Sequence, residues 1–297
     1  MTGQVQELPL WRSMLFVPAT SERFAAKAHT RGADAIIVDL EDSIAASEKG
    51  RARSILPQVL RQVGQGGADV VVRINRPVRL AVRDLEVAVV RQVQAISLPK
   101  TESASHVELM SEVMAEIEAD RGLTPGDTRI IALIETVEGF ANLSEIAAHP
   151  RVVAVTLGGE DFAAALGMPS AEAEQMRPYL REIVLAARGA GKLALGYAGS
   201  IANFSDLEGY AADIAEARAM GFDGGSCIHP AQVPVLNKGF APSAEEIIQA
   251  ERVAAAYDRA LAKGQGAIQL DGRMIDVPVA ERARAILATR DRIAARG

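Results

Sequence analysis

The stretch "RIIALIETVEGF" (129–140) sets an unbroken apolar run, Ile130 to Ile134, directly against Glu135. A short apolar run without polar alternation reads as a strand buried on both faces, the signature of a parallel sheet. A carboxylate at its end needs a partner, because an unpaired buried charge is costly. The same layout recurs along the chain. Apolar runs lie at 13–17 "SMLFV", 34–40 "DAIIVDL", 69–74 "DVVVRI", 95–98 "AISL", 152–157 "VVAVTL", 193–197 "LALGY" and 224–228 "GGSCI".

Helical patterns separate these runs. One is expected from Glu22 to Arg31, with Thr20 or Ser21 as N-cap. Another spans Ser103 to Arg121, with Val107, Met110, Val113, Met114 and Ile117 on one face and Gly122 as its stop. A third, "AEQMRPYLREIVLAARGAG", carries Pro178, which is expected to interrupt its start. Eight alternating strands and helices predict an α/β fold of the TIM (β/α)₈ barrel type, with a doubly wound parallel sheet as the alternative. The barrel is expected over residues 1–240 and a C-terminal helical and loop appendage over 241–297. The appendage reads as a helix from Ser243 to Lys263, a glycine-bearing loop or hairpin at 264–278 and a last helix from Ala280 to Arg296. It could serve as a lid or reach a neighbouring subunit.

Composition narrows the function. The net charge is −6 with no basic cluster suited to a phosphate backbone, so no nucleic-acid partner is expected. No apolar run reaches the roughly 18 residues of a membrane helix, and no membrane partner is expected. The opening "MTGQVQELPLWRSMLF" lacks the apolar core of a signal peptide, so a cytoplasmic location is expected. A single cysteine, Cys227, excludes an internal disulfide; with His229 two residues away and no second ligand pair, zinc is not expected.

In a barrel the active groups stand at the carboxyl ends of the strands. The polar residues there are Asp39, Glu41 and Asp42, then Arg73 and Asn75, Lys100 and Glu102, Glu135, and Glu160 and Asp161 after Gly158 and Gly159. Arg12 lies just before the first strand. Glu135 and Asp161 come from consecutive strands and could share one hard cation such as magnesium, which takes oxygen ligands and leaves positions open for substrate. Alternatively each caps a helix or pairs with a lysine. Arg73 could clamp a substrate carboxylate or oxyanion, or form a structural ion pair with Glu41 or Asp39. Asp42 reads as a helix-capping acid. Lys100 reads as an ion pair or anion contact ahead of a Schiff-base nucleophile.

Taken in order, "RSMLFVPA", "DAIIVDLEDSI", "VVRIN", "LPKTES", "IALIETVEGF", "VTLGGEDF", "GFDGGSCIHPAQV" and "DGRMIDVP" resemble the citrate lyase β-subunit-like (CitE-like) family of the HpcH/HpaI aldolase superfamily. The likeness runs over nearly the whole chain and is nearest in layout to malyl- and citramalyl-CoA lyases. It implies a barrel, a Mg2+ ion and carbon–carbon bond cleavage or formation. The substrate would be a 3-hydroxyacyl-CoA, split into an acyl-CoA thioester and a 2-oxo acid such as glyoxylate or pyruvate. By position it implies Glu135 and Asp161 as metal ligands and Arg73 as the substrate-binding arginine, assisted by Arg12. Glu41 becomes a supporting acid, and Gly159 and Glu160 line the substrate. Asp276, with Asp271 second, matches an aspartate that reaches the site from a neighbouring subunit to exchange a proton. Family members are commonly trimers or hexamers. Two segments depart from the pattern. The usual glycine–lysine before "xxIHP" is Gly224–Gly225, and the usual "AIDxV" after the seventh strand reads "ALGYAGSIANFSD". The alternatives are a CoA-independent metal-dependent aldolase of hydroxy-oxo acids and a non-catalytic citrate lyase-like subunit.

Overall fold

The computed structural model describes residues 7–199 and 205–296. Its strands are β1 (Ser13–Pro18), β2 (Ala35–Asp39), β3 (Asp69–Arg73), β4 (Ala95–Leu98), β5 (Arg129–Ile134), β6 (Val152–Leu157), β7 (Leu193–Leu195) and β8 (Gly225–Cys227). All pair in parallel in the order β7-β6-β5-β4-β3-β2-β1-β8. A single bridge between Leu195 and Gly224 joins β7 to β8, so the sheet closes into the expected (β/α)₈ barrel rather than a doubly wound sheet.

The helices are α1 (Glu22–Ala28), α2 (Lys49–Val63), α3 (Val78–Ala88), α4 (Ala104–Asp120), α5 (Val137–Ala141), α6 (Leu143–Ala148), α7 (Gly159–Ala165), α8 (Ala173–Gly189), α9 (Leu207–Met220) and α10 (Val233–Gly239). Ser103 caps α4 by accepting the His106 N–H, and Gly122 follows in the left-handed region at φ +64°. Ser21 holds the N-cap position of α1 but its side chain accepts no capping bond. Pro178 lies inside α8 rather than interrupting its start, which comes five residues earlier at Ala173.

The barrel is filled by inward side chains, among them Met14, Ile37, Val71, Ile131, Val153 and Leu195. Trp11 closes the amino end and donates from Nε1 to Asp69 at 2.7 Å. Closure at β8 requires glycine: a Cβ on Gly224 would lie 1.8 Å from the Trp11 carbonyl oxygen.

Contacts divide the chain into two compact units, 1–237 and 238–297. The second holds α11 (Ala244–Leu261), the hairpin β9 (Ile268–Leu270) and β10 (Arg273–Ile275), and α12 (Val277–Arg296). Ser243 and Glu246 form a capping box at the start of α11. Asp271 and Gly272, both at positive φ, make the hairpin turn. Ala250, Val253, Tyr257, Ile275, Ala280 and Ala283 form this unit's own core. The last helix starts at Val277, three residues ahead of the expected Ala280, since Pro278 is tolerated in a first turn. Among the described residues no helix is long and apolar enough to cross a membrane.

Candidate active site

Asp39 and Arg73 end β2 and β3 and are register partners. Arg73 donates from Nε and Nη2 to the two Asp39 oxygens at 2.7 and 2.9 Å. Asp39 also accepts the backbone N–H groups of Glu41 and Ser43. Burial works against the Asp39 charge, yet these bonds and the Arg73 guanidinium hold its carboxyl below the ordinary range. The capping acid of this turn is therefore Asp39. Asp42, expected in that role, is exposed and stands 3.5 Å from Arg73. Glu41 Oε2 is 3.2 Å from Arg73 Nη1, out of line for a hydrogen bond. The Phe16 ring lies 4.9 Å from the guanidinium carbon. Arg73 is thus both held by acids and directed into the barrel mouth.

Glu135 follows β5 and is 4% exposed. Burial pushes its carboxyl up to about 7, against the Lys100 amide, which donates to Oε2 at 2.8 Å, and the Lys100 charge. Gly158 makes room for it: a Cβ there would lie 2.5 Å from Glu135 Cγ. Glu160 and Asp161 stand in the first turn of α7, where acids suit the positive end of the helix. Asp161 Oδ1 is 3.4 Å from Lys100 Nζ, and Glu41 Oε1 is 3.9 Å from the same nitrogen. Burial alone would lower the Lys100 ammonium, but Glu135, Asp161 and Glu41 raise it, so it is an ion-pair lysine rather than a nucleophile. Burial likewise pushes Glu41 up to about 7.

Glu135 and Asp161 line one cavity of about 230 Å³ with Arg73, Gly159 and Glu160. Among the described residues no three His, Cys, Asp or Glu side chains enclose a metal position. The two carboxylates nevertheless fit a hard divalent cation that draws its other oxygens from water and substrate. The buried Glu41 Oε2, without a hydrogen bond, adds acceptor capacity nearby. A second cavity of about 610 Å³ shares Phe16 and Arg73 with the first and is lined by Arg23, Lys27 and Arg31.

Arg12 is not brought to this mouth. It precedes β1 and grips Asp34, which precedes β2, through Nε and Nη2 at 2.8 Å each and its backbone N–H at 2.9 Å. Both residues sit at the amino ends of the strands, opposite the cavity, so Arg12 is a structural strut. Asp276 and Asp271 belong to the second unit. Asp276 Oδ1 accepts the Val279 N–H at 3.4 Å at the start of α12, whereas Asp271 pairs with Arg252 at 2.7 Å. Cys227 is fully buried at the end of β8 and its thiol is pushed up to about 12 by burial; His229 Nδ1 accepts the Ala231 N–H. Glu138, exposed, sits in the first turn of α5, which Thr136 caps.

Sequence reasoning missed the cavity's apolar lining of Leu157, Met176, Leu180, Leu195 and Tyr197. It also missed the row Arg23, Lys27 and Arg31, although its spacing of four is visible in "SERFAAKAHTR". Of the segment after β7, Ser200 to Phe204 lie outside the described residues.

The HpcH/HpaI aldolase/citrate lyase family profile matches residues 12–230. The chain is 34% identical over 281 residues to the citrate lyase subunit beta of Leuconostoc mesenteroides, covering 94% of this chain and 92% of that one. It is 37% identical over 287 residues to the (3S)-malyl-CoA thioesterase of Cereibacter sphaeroides, covering 96% of each. Among solved structures, CitE from Mycobacterium tuberculosis in complex with magnesium, acetoacetate and coenzyme A superposes with a TM-score of 0.74. It is 34% identical, covering 94% of this chain and 97% of that one. With the profile spanning most of the barrel and relatives aligned along nearly their full length, the chain belongs to the HpcH/HpaI aldolase/citrate lyase family.

Proposed function

We propose that this chain is a magnesium-dependent carbon–carbon lyase. It cleaves or forms a 3-hydroxyacyl-CoA of the malyl-CoA or citramalyl-CoA type, giving an acyl-CoA and a 2-oxo acid, glyoxylate or pyruvate. One observation carries the reading: two carboxylates, Glu135 just after β5 and Asp161 in the first turn of α7 that follows β6, line one cavity with an arginine already locked in orientation. They are the proposed magnesium ligands, in keeping with the magnesium of the related CitE structure. Bound there, magnesium supplies Lewis acidity to the oxygens of the hydroxy or oxo acid.

Arg73 donates to the substrate oxygen on which charge changes, and Asp39 keeps its planar fork from having to reorganise. Glu41 supports Arg73, and Gly159 and Glu160 line the oxo-acid end. As the carbon–carbon bond breaks, its electron pair passes to the thioester enolate, and the hydroxyl releases its proton to solvent as its oxygen becomes the carbonyl of the 2-oxo acid. Asp276 of a neighbouring subunit is the proposed donor of the proton at the enolate carbon, within a homotrimer or hexamer. Asp271 is the weaker choice because Arg252 already holds it. Arg12 is given no role. The cationic cavity of Arg23, Lys27 and Arg31 suits the phosphates of the CoA thioester, and it adjoins the first cavity at Arg73. A cytoplasmic location fits such a substrate.

A second reading, hydrolysis of the thioester, is favoured by the malyl-CoA thioesterase among the relatives. Incubating the protein with malyl-CoA and citramalyl-CoA, with magnesium or with EDTA, separates the two. Lysis releases glyoxylate or pyruvate without free thiol; hydrolysis releases thiol without oxo acid. Absence of oxo acid from both thioesters in magnesium would refute the lyase reading.

A further inference from the structure

The two places where the sequence leaves the family pattern meet in space. Gly196, at φ +144°, ends β7 and turns Tyr197 onto β8. A Cβ on Gly225 would lie 2.8 Å from Tyr197 Cδ1, so glycine at 225 is what lets the ring lie there. The Tyr197 hydroxyl donates to the Ser226 carbonyl at 3.0 Å and is committed to the protein, while the residue lines the first cavity. Leu195 lies beside it on β7. Met176 and Leu180, four apart on α8 and each 3% exposed, line the same cavity, as does Leu157. The acids Glu135, Glu160 and Asp161 line the same cavity.

Charge decides what can occupy this wall. Among the described residues lining the cavity, Arg73 is the only cation; Lys100, 3.4 Å from Asp161 and 3.9 Å from Glu41, stands behind the acids. The Arg73 Nε and Nη2 are bound to Asp39, and its Nη1 faces Glu41 and Asp42. One substrate carboxylate can share Arg73 and the metal ligands' end of the cavity. A second would be pressed against hydrocarbon or against Glu160, and burying it there without a cation is costly.

We propose that the 2-oxo acid partner is a monocarboxylate whose C2 substituent, hydrogen or alkyl, faces the wall of Leu157, Met176, Leu180, Leu195 and Tyr197, and that this wall rejects dicarboxylic 2-oxo acids. The proposal rests on the lyase reading and names the residues that exclude the dicarboxylic 2-oxo acids.

The test uses full-length, magnesium-loaded protein and a matched pair of ligands in titration calorimetry. 2-Oxovalerate and 2-oxoglutarate share one chain length and differ in a terminal methyl against a carboxylate. 2-Oxovalerate should bind at least about tenfold more tightly. Leu180→Arg, which adds a cation to the wall, should narrow or invert that ratio, whereas Leu180→Met should preserve it. Equal affinities, or tighter 2-oxoglutarate, in the wild-type protein overturn the proposal whether or not the arginine variant folds. Glyoxylate and pyruvate are titrated alongside. If they bind while the matched pair shows no preference, only the wall assignment falls; if neither binds, the lyase reading falls and the wall assignment with it.

Discussion

Replacing Glu135 by glutamine separates the cost of its buried charge from its use. The carboxyl is 4% exposed, and burial lifts it from an ordinary value near 4.5 to about 7. A folded-state value above the unfolded one means that the native protein holds a proton which the unfolded chain has already released. Stability therefore falls as pH rises from about 4.5 to 7 and is level above that. At about 1.4 kcal/mol per pH unit, this window corresponds to a loss of about 3 kcal/mol. Glutamine cannot ionise, yet it can still accept the Lys100 amide that Glu135 accepts at 2.8 Å. In EDTA, Glu135→Gln should thus gain about 3 kcal/mol on the wild type between pH 4.5 and 8. Glu41, also raised to about 7, is pushed up in part by the Glu135 charge, so the difference between the curves reports Glu135 together with the relief it gives Glu41. The assay is urea unfolding at several pH values, followed by the fluorescence of Trp11, the sole tryptophan, buried at the barrel's amino end. Saturating magnesium at pH 8 should stabilise the wild type and leave the variant unchanged. Parallel curves in EDTA across the whole range would show that burial does not set the Glu135 proton, and the reasoning would fail.

Gly158→Ala puts a methyl within 2.5 Å of Glu135 Cγ and should cut activity about a hundredfold with far-UV circular dichroism unchanged; wild-type turnover would show the glycine to be dispensable. Arg73→Lys keeps the charge but loses the two-pronged hold on Asp39, and kcat/KM should drop about a hundredfold or more. Arg12→Ala removes the guanidinium from the buried Asp34 carboxylate at the amino ends of the strands; urea unfolding should show a loss of about 3 kcal/mol, while kcat per folded molecule stays near wild type. A large fall in kcat at full stability would instead return Arg12 to the catalytic mouth.

The barrel was legible because doubly buried strands leave unbroken apolar runs. β4 and β6 begin and end where those runs do. β7 stops short of "LALGY" because Gly196 takes a backbone angle no ladder accommodates. The convergence of Glu135, Asp161 and Arg73 on one cavity also followed from strand order. Arg12 did not: standing just before β1 it lies at the amino end, and its assignment to the mouth rested on the resemblance alone. Asp39 reads in sequence as one acid among three; its hold on Arg73 depends on β2–β3 register, which apolar patterning leaves unspecified. The aliphatic wall was hidden because Met176 and Leu180 read as ordinary buried positions of an amphipathic helix. Tyr197 was hidden because its placement depends on a glycine nearly thirty residues away.

The ring of strands is not uniformly strong. From β7 round to β8 through β1, continuous ladders join every neighbour. Between β7 and β8 there is one bridge, with the Gly196 N–H donating to Gly224 O at 2.8 Å and the Asp223 N–H to Ala194 O at 2.9 Å. This makes the cylinder a hoop with a clasp. Thermal opening, and any pull along the chain, concentrates at that clasp, so its amides should exchange with solvent ahead of those in β2 to β5. Leu195, Gly196 and Tyr197 on one side and Ser226 on the other also line the first cavity. A molecule held there grips both ends of the hoop at once, and occupancy is read out mechanically as a barrel harder to unbuckle.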